Sequence, residues 1–106
     1  MDLAASAYQL GKLMPKTEEY RLTSQLLRAA ASVPENLAEG HARATRKDYA
    51  HFVSIAQGSL AETETFLMLI VKVGLLNSEQ TAVAMKHCDE IGRMLTALNA
   101  RLREQI

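Results

Sequence analysis

The chain has 106 residues, 12 Lys+Arg balanced by 12 Asp+Glu, and a 48% hydrophobic share that includes only 5% aromatics and no Trp. That length supports one core and excludes two, the zero net charge excludes capture of nucleic acid by bulk charge while leaving room for a local basic patch, and the single Cys88 excludes an intrachain disulfide and fits a reducing compartment. The apolar residues are mainly Leu, Ala, Val, Met and Ile without long β-branched runs, which favours helices over strands.

From residue 2 to 14, Leu3, Ala7, Leu10 and Met14 recur at helical steps, and Pro15 stops the helix by pushing the preceding residue out of the α region. Thr17 is the expected N-cap of a second helix over residues 18–39, with Glu18 and Glu19 at the positive end of its dipole. Its stripe is Tyr20, Thr23, Leu26, Leu27, Ala30, Val33 and Leu37, and Gly40 is the natural residue just past its end. Pro34 removes the hydrogen bond to the Ala30 carbonyl, which leaves two outcomes open: a bend at that point, or a break into two helices near Ser32.

His41 to Ala44 reads as a loop, and Thr45 with Asp48 as a capping box opening a third helix over residues 46–73. The stripe there is Phe52, Ala56, Ser59, Leu60, Thr63, Phe66, Leu67, Ile70 and Val73, and its small middle, with Gly58 and Ala61, invites close approach of a neighbour. The segment FLMLIVKV is apolar almost all round; a helix of that kind is buried all round, so Met68, Val71 and Leu75 are expected at an interface with another subunit. Gly74 ends this helix, and Asn77 or Ser78, with Gln80 at capping-box distance from Asn77, opens a fourth over residues 78–105. Cys88, Ile91, Leu95, Leu98 and Leu102 form its seam. The result is a single all-α domain over residues 1–106, an up-down-up-down four-helix bundle that is oligomeric.

The run LTSQLLRAAASVPENLAEG, followed by a capped helix and FVSIAQGSLAETE, resembles the four-helix-bundle family of proteins encoded by intervening sequences in bacterial large-subunit ribosomal RNA genes. The accessory variability-determinant proteins of diversity-generating retroelements are related to that family. The resemblance rests on Leu22, Thr23, Ser24, Gln25, Arg28, Ala29, Ser32, Pro34, Asn36, Ala38, Glu39, Gly40, Gly58, Ser59, Glu62 and Glu64. It implies a ring-like homopentamer and, for the retroelement branch, engagement of a reverse transcriptase and nucleic acid; the neutral charge of this chain departs from that basic branch. Members carry further residues, including a Trp, ahead of this start, so either the first helix is shorter here or the chain starts late.

His41, Arg43, Arg46 and Lys47 make the candidate nucleic-acid patch, at a loop and helix N-terminus where backbone N–H groups and the dipole favour phosphate; the bland reading is an ordinary solvated loop. Arg28, Ser32, Pro34, Asn36, Glu39, Gly40 and Glu62 make the second candidate set. Their structural reading is that they satisfy backbone freed by Pro34 and bridge to the third helix through Glu62, fixing register; their functional reading is a partner pocket.

Chemistry finds little support. Asp48 and His51 lack the second pair that a di-metal bundle needs, Glu62 with Glu64 and His87 with Cys88 diverge on their helices, and no phosphate loop or nucleophile elbow occurs. The expectation is no enzyme, no cofactor and no metal. No stretch supplies the roughly 18 uncharged apolar residues of a membrane span, so a cytoplasmic protein without membrane contact is expected. The leading function is an oligomeric adaptor associated with RNA or a nucleic-acid-processing partner such as a reverse transcriptase; the alternative is a protein-binding scaffold without nucleic-acid contact.

Overall fold

The computed structural model describes residues 1–104 and contains four helices: α1 (Asp2–Leu13), α2 (Ser24–His41), α3 (Arg46–Lys72) and α4 (Ser78–Arg103). Residue 105, the expected end of the last helix, lies outside the described residues. Each helix packs on the next and α4 returns to α1, with the most extensive contact between α2 and α3. That neighbour pattern is the up-down-up-down bundle. Its body measures 46 × 22 × 18 Å. With 12 residues against 27 in α3, α1 spans less than half the bundle, and its Gly11 sits against Thr23 and Leu27, at the α2 start. Among the described residues, the opposite end, around the α2–α3 loop, is formed by α2, α3 and α4.

Entry into α2 differs from the expectation of one helix starting near residue 18. After Pro15 the chain makes a single 3-10 turn at Lys16–Glu18, with the Glu18 N–H donating to the Pro15 carbonyl at 2.9 Å, and Thr17 caps nothing. A wide π turn at Glu19–Thr23 follows, with Arg21 outside helical geometry (φ −113, ψ −107). A five-residue turn shifts the phase of the stripe. Tyr20 and Thr23 would share a face in a regular helix; here Thr23 is buried and Tyr20 stands 89% exposed. The Thr23 hydroxyl has no hydrogen-bond partner among the described residues.

Beyond the turn, α2 runs unbroken through Pro34, so the break near Ser32 does not occur. Gly40 does not follow the helix but lies in its last turn, buried, with ordinary negative φ. A methyl placed on it would meet the Phe52 Cβ at 2.7 Å and the Tyr49 ring at 3.1 Å, so glycine here lets α2 approach α3. The true stop glycine is Gly74, at φ 83: the Gly74 N–H donates to Val71 and the Leu75 N–H to Ile70, both at 3.0 Å, a Schellman closure of α3.

At the start of α3 only half of the capping box forms. The Thr45 hydroxyl accepts from the Asp48 N–H at 3.1 Å, and no return bond from the Asp48 carboxylate occurs, its arm being one methylene shorter than glutamate's. Asn77 and Gln80 form the full reciprocal box on α4, at 2.8 and 2.9 Å. The core joins Leu3, Ala7 and Leu10 of α1 to Leu26, Ala30 and Val33 of α2, Val53, Ala56, Leu60, Leu67 and Ile70 of α3, and Ala84, Cys88, Leu95 and Leu102 of α4. Of the expected α3 stripe, Phe52 and Phe66 are half-buried, and Val73, just past the helix, is exposed. Among the described residues no helix is long and apolar enough to cross a membrane.

Candidate functional site

Three groups of side chains were expected to carry function, and the bundle treats them differently. Ser32 and Asn36 do reach α3, but through Ser59 and not Glu62. The Ser32 and Ser59 hydroxyls pair at 2.9 Å across the helices, and the Asn36 amide donates to the Ser32 hydroxyl at 2.9 Å and carbonyl at 2.8 Å. The carbonyl that Pro34 leaves without its usual donor belongs to Ala30, so Asn36 does not replace the missing bond. Arg28 and Glu62 are exposed and make no hydrogen bond or ion pair among the described residues. Each lies on its helix surface one turn from the Ser32–Ser59 rung and does not take part in it.

The rung is a small polar bridge inside the α2–α3 contact. Asn36→Ala is expected to cost about 1 kcal/mol, the worth of a net hydrogen bond, and to lower the melting temperature by several degrees. A variant of unchanged stability would show that the amide does not brace the rung.

His41, Arg43, Arg46 and Lys47 are all exposed at the end around the α2–α3 loop. Arg43 is already engaged: its guanidinium pairs with the Glu39 carboxylate and lies 4.8 Å from the centre of the Phe52 ring. The His41 ring stands edge-on to Tyr49 at 5.8 Å. Arg46 reaches across to α4 and donates to the Arg101 carbonyl at 3.1 Å. Lys47 has no partner among the described residues.

The antiparallel topology adds residues that sequence reasoning left out. Because α4 ends where α3 begins, Arg101 and Arg103 join Arg46 and Lys47. The Arg103 guanidinium donates to the Asn99 side-chain oxygen Oδ1 at 2.7 Å and to the Ser54 hydroxyl at 2.9 Å, and the Asn99 side-chain NH2 donates to the Gln57 side-chain oxygen at 2.8 Å and the Ser54 hydroxyl at 3.2 Å. The usable signal was the four-residue step from Asn99 to Arg103, which puts both on one face, together with Ser54 and Gln57 on one face of α3.

The expected interface residues also divide. Met68 is 56% exposed, whereas Val71 and Leu75 are half-buried, with Leu75 packed on the core. Met68 and Val71 line a mostly apolar groove of about 290 Å³ between α3 and α4, with Leu67, Lys72, Ser78, Thr81 and Met85. Cys88 lies buried between α3 and α4, and burial, aided by the nearby Glu64 carboxylate, pushes its thiol from 9.0 up to about 11. Among the described residues no group of three His, Cys, Asp or Glu is placed to hold a metal ion.

Comparison with known proteins agrees with this architecture. Residues 1–97 match the family model described as 23S rRNA-intervening sequence protein. Among solved structures the chain is similar to the crystal structure of a protein of unknown function from the S23 ribosomal protein family of Bacteroides thetaiotaomicron VPI-5482. The two share 24% identity over 92% of each chain, with a TM-score of 0.85, a likeness of fold. No curated protein matches the chain.

Proposed function

Because the chain belongs to the 23S rRNA-intervening sequence protein family, we propose that it is a non-enzymatic, cytoplasmic adaptor that assembles into a ring, a pentamer as the resemblance implies. In this reading the ring presents its basic end to RNA or to a nucleic-acid-processing partner of the reverse-transcriptase kind. The observation that carries it is the apolar surface left open on and beside α3, where Met68 and Val73 are each 56% exposed and Leu69 39%.

Light scattering on the purified protein tests the assembly. The expected mass is several times that of the single chain, and Met68→Glu with Val73→Glu should reduce it to the single-chain mass at unchanged helix content. A monomeric parent protein would remove the ring.

The second reading, a protein-binding scaffold with no nucleic-acid contact, is favoured by the Glu39–Arg43 pair and the zero net charge. Absence of RNA binding by the unaltered protein at low salt would select it.

A further inference from the structure

Two arginines at the end around the α2–α3 loop are held in place by neutral acceptors, with no acid paired to either among the described residues. Arg46 donates to a backbone carbonyl in the last turn of α4, that of Arg101, at 3.1 Å. Arg103 is fixed at two points, by the Asn99 side-chain oxygen and the Ser54 hydroxyl, and Asn99 is itself braced by Gln57. Every one of these acceptors is neutral. A guanidinium has five N–H donors, so among the described residues both forks keep donors beyond these bonds and neither charge is paired. Arg43 is the opposite case, because the Glu39 carboxylate cancels its charge and would have to be displaced by any incoming anion.

We propose that Arg46 and Arg103 are the phosphate-contacting pair of this protein and that their ligand is the phosphodiester backbone of RNA; the assignment rests on the nucleic-acid reading above. Anchoring the long side chains in advance removes most of the ordering cost of binding, and the planar fork suits two phosphate oxygens. Lys47 and Arg101, both exposed, extend the cationic surface, with Asp48 and Glu104 the acids in the same two helical turns. The side chains that hold Arg103 or brace its partner are Ser54, Gln57 and Asn99, hydrogen-bonding groups of the sort that contact sugar and phosphate. The forks are exposed, so a single small anion would keep much of its water, whereas a polyanion gains from release of counterions at each contact.

The test is a fluorescence-anisotropy titration with a labelled RNA oligonucleotide over a series of salt concentrations. Arg46→Gln with Arg103→Gln retains an amide donor at each position and removes both charges. It should weaken binding about 10-fold at low salt and reduce the log–log salt slope by about 1.5 units, while Arg93→Gln, at a residue paired with Asp89 on α4 and outside the patch, leaves both unchanged. In the unaltered protein, bound RNA should protect Arg46 and Arg103, but not Arg28 or Arg93, from phenylglyoxal, read by peptide mass spectrometry; this result stands even if the double variant fails to fold. Equal affinity and slope in a folded double variant, or no protection, overturns the pair. If Arg43→Gln with Lys47→Gln abolishes binding instead, the contact moves along the loop and the nucleic-acid reading survives. Displacement of RNA by inorganic phosphate at constant ionic strength would assign a free-phosphate site and overturn the RNA assignment. No RNA binding by the unaltered protein removes the pair and the nucleic-acid reading together.

Discussion

Gly40→Ala is expected to lower stability by about 3 kcal/mol, a fall in melting temperature of roughly 15 °C. The added methyl would sit 2.7 Å from the Phe52 Cβ, an atom tied to the α3 backbone, with the Tyr49 carbonyl at 3.4 Å and its ring at 3.1 Å closing the other side. No rotamer change relieves a clash with a Cβ, so α2 must move off α3 at the most extensive contact in the bundle. Gly58 supplies the internal comparison. It lies in the middle of α3 with nothing within 4 Å of an added Cβ, and the same substitution there removes backbone freedom from the unfolded chain. Gly58→Ala should therefore raise stability by about 0.5–1 kcal/mol. Thermal melts of the two variants side by side check both signs, and a stable Gly40→Ala would show that the helices are free to slide apart.

Pro34→Ala should stabilise the isolated chain by about 1–2 kcal/mol. The helix runs unbroken from Ser24 to His41 around a residue that cannot donate to the Ala30 carbonyl, and Ala30 is fully buried, so no water fills the gap cheaply. Alanine restores the donor and removes the clash of the ring with that carbonyl. The variant should thus resist urea better than the parent and, under the ring proposed above, should assemble less completely by light scattering wherever the α2 surface around Pro34 takes part in the contact. A less stable Pro34→Ala would show that the packing of the half-buried ring outweighs the lost hydrogen bond.

Where the helices are regular, the amino-acid pattern was enough to find them. Ala56, Ser59, Leu60, Thr63, Leu67 and Ile70 of α3 are buried as their spacing requires, because one uninterrupted helix holds one period throughout. Asn77 and Gln80 announced their capping box for a similarly local reason. Tyr20 was misplaced because the wide turn at Glu19–Thr23 leaves no mark in the spacing of apolar residues. The bridge from Ser32 was legible as a polar position, but its partner was not: Ser59 and Glu62 are one turn apart on α3, and which one meets Ser32 depends on the register between two helices. Arg103 escaped notice for the same reason, since its partner Ser54 lies 49 residues away.

The buried thiol of Cys88 makes the seam between α3 and α4 a gauge of its own opening. Only the thiolate is alkylated, and with its pKa raised to about 11 by burial, Cys88 in the closed bundle is inert at neutral pH. In the unfolded chain the thiol ionises near its ordinary 9.0, so folding free energy from this group declines as pH rises from about 9.0 through about 11, and Cys88→Ala should remove that part of the alkaline loss. Near neutrality, where alkylation is slower than reclosing, the rate at which iodoacetamide consumes the single cysteine reads the equilibrium population of the open helix pair. Compared with the global unfolding free energy, it tells whether α4 detaches by itself or only when the whole bundle comes apart.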